Sequence, residues 1–221
     1  MPPLRVLLRH PGVYVHLLLS KLHWSPREKA IRRMLEQFCL RTDHPRYRVV
    51  DIGCGSGLLA QTAHDLGFVY LGIDNDPGRI EYSRETYGDA PRVTFRAENC
   101  VFGSFEIGER DIVILNGAAH HLSDTQMKSL LAKISLCAGM IIADHLKVDQ
   151  GHPLHAFLPS VLQDLDFGDF VRPFRYFEAL CGFTLRDSEV FPIDLASITL
   201  WTYFCNFYSP AAGRRETHEN S

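Results

Sequence analysis

Three glycines at alternate positions, Gly53, Gly55 and Gly57, follow the apolar run Val49-Val50-Asp51-Ile52 and precede the helix-forming stretch Leu58 to Leu66. Glycine lets the main chain adopt torsions that other residues avoid and brings its N–H groups against a ligand with no Cβ in the way. A buried strand that runs into such a turn therefore reads as a nucleotide-cofactor loop. In a dinucleotide-binding turn the third glycine falls three residues after the second. Here position 58 is Leu58 and the third glycine comes early, at Gly57, which weakens a pyrophosphate reading. Asp51 lies inside the motif, and Asp74 ends the next apolar run, Tyr70-Leu71-Gly72-Ile73. Two carboxylates so placed suit an ammonium group and a ribose diol.

A second set of reactive side chains lies further on, in Asn116-Gly117-Ala118-Ala119-His120-His121-Leu122. Imidazole changes charge near neutral pH and can take a proton from a hydroxyl. Adjacent residues cannot both point inward, so His120 is the favoured base and His121 the structural partner; the reverse and a purely structural pair stay open. His145 follows the apolar run Met140-Ile141-Ile142-Ala143 and is the second candidate for a polar substrate contact. Asp144 beside it either orients a histidine or caps a turn. His152 and His155 add to eleven histidines in all, but no thiolate joins them, and zinc needs three or four converging ligands; no metal is expected.

These residues need elements to hold them. Strands are predicted at 47–52, 69–74, 92–97, 111–116 and 139–144, with helices at 57–66, 77–87 and 124–137 between them. The alternation of helices with continuous apolar strands such as Ile112-Val113-Ile114-Leu115 predicts an α/β fold with a parallel sheet covered on both faces. Right-handed crossovers put the glycine turn and the histidines together at the carboxyl edge of the strands. Upstream, Ser25-Pro26-Arg27-Glu28 reads as a capping box that opens a helix to about Leu40, within a helical cap over residues 1–45. The seven-residue apolar run Val13 to Leu19 is too short to span a membrane or act as a good signal peptide. Beyond Asp144 the rhythm stops. Residues 145–172 carry Gly151, Pro153, Pro159 and Gly168 among apolar side chains and read as a lid insertion. Pro173 to Cys181 reads as a helix, Thr184 to Val190 with Ile198 to Phe207 as a final strand pair, and 209–221 as a disordered tail.

The glycine motif, Asp74 and the order of the pieces from Tyr47 to Cys181 resemble the class I S-adenosylmethionine-dependent methyltransferases, and the histidine segment resembles that of bacterial small-molecule members. The resemblance implies a Rossmann-like seven-stranded sheet, closed by an antiparallel hairpin, as the cofactor domain over 46–208. It implies S-adenosylmethionine as cofactor: the turn Gly53, Cys54, Gly55 and Gly57 against the methionine part, Asp51 near its ammonium, and Asp74 with Asn75 at the ribose. Asn99 matches the position that accepts the adenine amino group, with Glu98 a one-residue alternative and Cys100 beside it. Asn116, which ends the fourth strand, is a further expected cofactor-binding residue. Tyr14 and Trp24 in the N-terminal segment, with Phe157 and Phe170 in the insertion, would line an apolar substrate pocket. Arg172 would meet a substrate carboxylate or lie on the surface.

The balance of the chain narrows the partners. Its 221 residues are 46% hydrophobic with a net charge of −3, enough for one full core and without general attraction for polyphosphate. Neither a nucleic acid nor a membrane is expected as partner. A base methylase would carry a D/N-P-P-Y/F segment where Asn116 is followed by Gly117 and Ala118, and the paired glutamates of an arginine methylase are missing. The six scattered cysteines read as reduced core thiols of a cytoplasmic protein. The expected function is methyl transfer to a small, partly apolar metabolite, on oxygen, in natural product biosynthesis. The alternative is an enzyme of the same fold that keeps the cofactor structurally and catalyses cyclisation or rearrangement.

Overall fold

The computed structural model describes residues 11–42, 46–88, 91–145, 170–195 and 198–211, with side chains from residue 26 onward except at 192–195 and 198–201. Its elements in chain order are α1 (Pro11–Arg41), β1 (Arg48–Ile52), α2 (Leu59–Asp65), β2 (Val69–Asp74), α3 (Pro77–Tyr87), β3 (Val93–Ala97), β4 (Asp111–Asn116), α4 (Asp124–Lys133), β5 (Gly139–His145), α5 (Phe174–Glu178), β6 (Phe183–Leu195) and β7 (Ile198–Pro210). One seven-stranded sheet runs β3-β2-β1-β4-β5-β7-β6. The first five strands pair in parallel, and β7 runs antiparallel to both β5 and β6. Strand order reverses between β1 and β4, the kind of crevice where open α/β sheets bind ligands.

Alternation along each strand divides the core into two faces. Val50, Ile52, Val113, Leu115 and Ile142 face α4 and α5, whose Met127, Leu130, Leu131 and Phe177 cover them. Val49, Tyr70, Ile112, Ile114, Ile141 and Cys205 face the other way, under α1, α2 and α3. A parallel strand buried on both faces must be apolar throughout, which is why these strands carry no polar alternation. Helix starts are set locally. Asp76 accepts from the backbone N–H groups of Gly78 and Arg79 ahead of Pro77, and Ser123 with Gln126 forms a capping box for α4.

Three expectations are corrected. The capping box at Ser25 does not open a helix: α1 is continuous from Pro11 to Arg41, with Pro26 inside it. The apolar stripe of Ala30, Ile31, Met34, Leu35 and Phe38 packs on the sheet, and this tertiary burial outweighs the local start signal. The tail does not begin at 209, because β7 extends through Pro210, where Thr184 still pairs with Ser209 and Phe183 with Pro210. His145 is not part of an insertion but the last residue of β5, in register with Tyr203 of β7. The greater part of the expected lid, residues 146–169, and the end of the expected tail, 212–221, lie outside the described residues.

Candidate active site

The glycine turn is built as its spacing predicts. Gly53, Gly55 and Gly57 have φ of 75°, 54° and 72°, torsions that favour glycine. A Cβ on Gly53 would lie 2.7 Å from Cβ of Ala118, and one on Gly57 would lie 2.8 Å from the Phe95 ring. The N–H groups of Gly53 and Cys54 both donate to the Ile73 carbonyl (2.8 and 3.0 Å), which pins the turn to the end of β2. There the Asp74 carboxylate accepts from the backbone N–H of Gly55 (2.8 Å) and of Asp76 (2.9 Å). Each of its oxygens keeps a lone pair for a further donor, as a diol would supply. Asn75 beside it is exposed, and Cys100 is half-buried, its thiol pushed up to about 11, chiefly by burial.

Asp51 is buried in β1 and accepts from the Tyr70 hydroxyl through Oδ2 (2.7 Å), while Oδ1 is buried with no hydrogen-bond partner. Burial pushes its carboxyl up to about 7; the Tyr70 hydrogen bond opposes this and the charge of Asp74 adds to it. Asn116 likewise holds a buried, unpartnered Oδ1 at the end of β4. Two acceptors without donors beside a glycine turn fit a ligand that carries an ammonium group.

Past β4 the chain turns at Gly117 (φ 63°), whose N–H donates to the Ala143 carbonyl, and a single 3₁₀ turn, Ala119–His121, carries the histidines. His120 is 3% exposed, and its Nδ1 lies 2.6 Å from Asp144 Oδ1 while its backbone N–H donates to Asp144 Oδ2 (3.0 Å). The His145 backbone N–H also donates to Asp144 Oδ1 (2.7 Å). Burial pushes the Asp144 carboxyl up, but the charge and hydrogen bond of His120, with help from His145, bring it down to about 2. An ionised carboxylate requires Nδ1–H as the donor, so Nε2 is the basic atom of the His120 ring. The His145 ring stands edge-on to His120 (centroids 4.7 Å), and its Nε2 lies 3.2 Å from the Tyr203 hydroxyl. His121 is exposed and its ring lies 4.1 Å from that of His120. Ligand atoms of His120, Asp144 and His145 lie within 4.8 Å of one another. Asp144 Oδ1 is already shared by two donors, so the group reads as a hydrogen-bonded histidine–aspartate pair rather than an ion cage.

Two sequence-expected contacts are corrected. Asn99 cannot accept from an adenine amine through its carbonyl oxygen, because that oxygen accepts from the N–H groups of Val101 (2.9 Å) and Phe102 (2.8 Å) and so has both lone pairs engaged. In the alternative, Glu98, Oε2 accepts from Ser104. Arg172 neither reaches for a substrate carboxylate nor lies on the surface. It is 6% exposed and clamps the histidine turn, donating to the carbonyls of Ala119 (2.8 Å) and Leu122 (2.5 Å) and to Asp124 (2.9 Å). Phe170 is exposed, and its N–H donates to the His120 carbonyl (3.0 Å), so the chain returns to the site after the expected lid. Tyr14 and Trp24 fall in α1 without described side chains, and Phe157 lies outside the described residues.

Of the two roles expected for Asp144 it takes the first, as the partner of His120, whereas two residues in the site, Tyr203 and Arg27, had no site role in the sequence reading. Arg27 is 7% exposed, and its guanidinium carbon is 5.0 Å from the Tyr203 ring centroid. Its signal was present, since residues 27, 30, 31, 34 and 38 share one helix face and only the first is charged.

Residues 49–137 match a family model described as a methyltransferase domain. Over that stretch, about two fifths of its length, the chain is similar to a methyltransferase domain. A stretch of 63 residues is 43% identical to a bovine (Bos taurus) 18S rRNA (guanine-N(7))-methyltransferase, covering 28% of this chain and 22% of that protein. Another of 106 residues is 29% identical to a malonyl-[acyl-carrier protein] O-methyltransferase of Anoxybacillus flavithermus, covering 47% and 39%. The chain thus spans about a fifth of the length of the first relative and two fifths of the second. Among solved structures, the magnesium protoporphyrin IX methyltransferase of Synechocystis PCC 6803 superposes with a TM-score of 0.61 at 14% identity, covering 87% of each chain. At that identity the likeness concerns the fold. The residues matched to a methyltransferase domain include the glycine turn, Asp74 and both histidines of the 3₁₀ turn; Asp144, His145, Tyr203 and Arg27 lie outside the matched span.

Proposed function

We propose that the chain is an S-adenosylmethionine-dependent methyltransferase that methylates an oxygen of a small, partly apolar metabolite. The observation that carries the reading is the buried pair of His120 and Asp144 at the carboxyl ends of β4 and β5, beside the glycine turn. The turn, Asp74 and the unpartnered oxygens of Asp51 and Asn116 fit the cofactor, as described above. When bound, the cofactor supplies an electrophilic methyl group on a sulfonium, which leaves as a neutral thioether on in-line attack. The protein's own contribution is to hold the acceptor close, exclude water and remove one proton. His120 Nε2 accepts the acceptor's hydroxyl proton as the oxygen lone pair forms the new bond to carbon. Asp144 fixes the ring by one hydrogen bond to Nδ1 and one to the His120 backbone N–H, and stabilises the imidazolium that results.

A hydroxyl acceptor is favoured because nitrogen and carbon acceptors ask for different surroundings. A small molecule is favoured over nucleic acid by the net charge of −3 and by the sequence Asn116-Gly117-Ala118, which offers no grip on a planar amine. The similarity to an rRNA methyltransferase keeps an RNA acceptor as the outcome to exclude. Six free thiols support a cytoplasmic setting, and among the described residues no helix is long and apolar enough to cross a membrane. Biosynthesis of natural products is the setting that fits methylation of a small, partly apolar metabolite. The test is to incubate the protein with methyl-labelled S-adenosylmethionine, a small-molecule extract and total RNA. Label in the small-molecule fraction, lost on His120→Ala, supports the reading; label confined to RNA, or a rearranged product without label, overturns it.

A further inference from the structure

Among the described residues, Arg27 is a buried cation without a counter-charge. It is 7% exposed, makes no hydrogen bond or ion pair among the described residues, and its Nε is buried and unpartnered. Arginine does not deprotonate to escape burial, so the charge persists. The ring of Tyr203 offers one favourable contact (5.0 Å), which does not replace an anion. The side chain is also placed with care: a Cβ at position 117 would lie 2.9 Å from Arg27 Nη1, so the guanidinium occupies the room that Gly117 leaves open at the end of β4. The next residue back, Asn116, holds the buried Oδ1 that lacks a donor. An unmatched donor and an unmatched acceptor, separated by one glycine, ask for a ligand that brings both a carboxylate and an N–H group.

We propose that Arg27 is a carboxylate-binding residue of the active site, reaching from α1 over Gly117 to pair with a ligand carboxylate. The planar fork of a guanidinium matches a carboxylate in two parallel hydrogen bonds. Resting on the methyltransferase reading, the arrangement with Asn116 favours the α-amino acid end of the cofactor as the source; a carboxylate on the acceptor is the other source with the same chemistry. Glu28, the neighbour of Arg27, is tied to Thr62 of α2 (3.0 Å) and to Arg32 (2.9 Å) and so fixes the helix rotation that sends Arg27 inward.

The experiment measures dissociation constants of S-adenosylhomocysteine and of 5′-methylthioadenosine, which keeps the nucleoside and thioether but lacks the amino acid end. Arg27→Met is expected to weaken the first by roughly 10- to 100-fold and the second by less than about twofold, with Arg27→Lys in between. The melting temperature of ligand-free Arg27→Met should equal or exceed that of the parent, because an uncompensated buried charge is gone; a merely structural arginine would give the opposite sign. The second arm adds benzoate to protein saturated with S-adenosylhomocysteine. Stabilisation of the parent but not of Arg27→Met assigns the carboxylate to the acceptor. If both nucleosides weaken alike, or if neither arm separates parent from variant, the proposal is overturned. Should the parent bind neither nucleoside, the methyltransferase reading fails, and benzoate alone still decides Arg27.

Discussion

Asp144 holds His120 by two bonds at once, one to the ring Nδ1 (2.6 Å) and one to the backbone N–H (3.0 Å). A single contact would fix distance alone; two fix the orientation of the imidazole relative to its own main chain. His120→Ala is therefore expected to lower the turnover number by about 100-fold or more, in the range a positioned base contributes. Asp144→Asn should also lower it, because a neutral amide no longer selects Nδ1–H and no longer balances an imidazolium. Affinity for S-adenosylhomocysteine should stay within a few-fold in both variants. Exposed His121 serves as the control, and equal losses from His121→Ala and His120→Ala would remove the assignment.

Asp51 gives the protein a stability that depends on pH in the opposite sense from a paired carboxylate. Its folded-state carboxyl, pushed up to about 7 by burial, sits above its ordinary value of 3.8. Between those values the native state holds a proton that the unfolded chain releases. The contribution is thus fully present below the ordinary value and lost as pH rises through about 7, on the order of 4 kcal/mol. Denaturant unfolding of the ligand-free protein at about pH 5 and about pH 8 should show this decline, and Asp51→Asn should flatten it. Binding a ligand with an ammonium group near neutral pH should release a proton, visible by calorimetry in buffers of different ionisation enthalpy. A pH-independent difference between parent and Asp51→Asn would show that Asp51 is ionised throughout.

Arg172 clamps the histidine turn, which gives it a positioning role in the proposed reaction. Its guanidinium bonds the carbonyls of Ala119 and Leu122, which flank the two histidines, and the carboxylate of Asp124. Arg172→Ala removes a donor from each carbonyl, leaving Ala119 with only the Leu122 N–H, and should destabilise the fold by roughly 2–4 kcal/mol. Arg172→Lys keeps the charge but loses the fork, so it should fold while its kcat falls, with cofactor affinity preserved. A substrate-binding arginine would instead raise the KM for the acceptor at unchanged kcat. The two outcomes separate a positioning role from direct contact.

The sheet was legible in the sequence because its strands are buried on both faces and so leave unbroken apolar runs, as in Ile112 to Leu115. Gly53, Gly55 and Gly57 were legible because positive φ demands glycine. Asn99 and Arg172 were not, since a polar side chain has several partners within reach and only the folded chain decides between ligand and backbone. Asn99 turned to Val101 and Phe102, and Arg172 to the histidine turn. The start of α1 misled for a related reason: Ser25-Pro26-Arg27-Glu28 has the local chemistry of a cap, but it lies inside a helix held by packing. Arg27 then passed as a capping neighbour when its place on an apolar stripe marked it as buried.

Gly53 meets two constraints, and they can be told apart. Its φ of 75° makes any side chain strained there, and the space for a Cβ is already filled by Cβ of Ala118 at 2.7 Å. Gly53→Ala is expected to cost roughly 1–3 kcal/mol from the backbone and a comparable amount from overpacking. The second part should be recovered by Ala118→Gly in the double variant, since that removes the atom in conflict, whereas the first should remain. The turn borders the proposed cofactor site, so affinity for S-adenosylhomocysteine should fall in the single variant and recover only in part in the double. Full recovery of stability and affinity would mean that contact with Ala118 alone requires glycine at this position. Recovery of neither would mean that the torsion decides, and that the close approach of the glycine turn to the histidine segment is incidental.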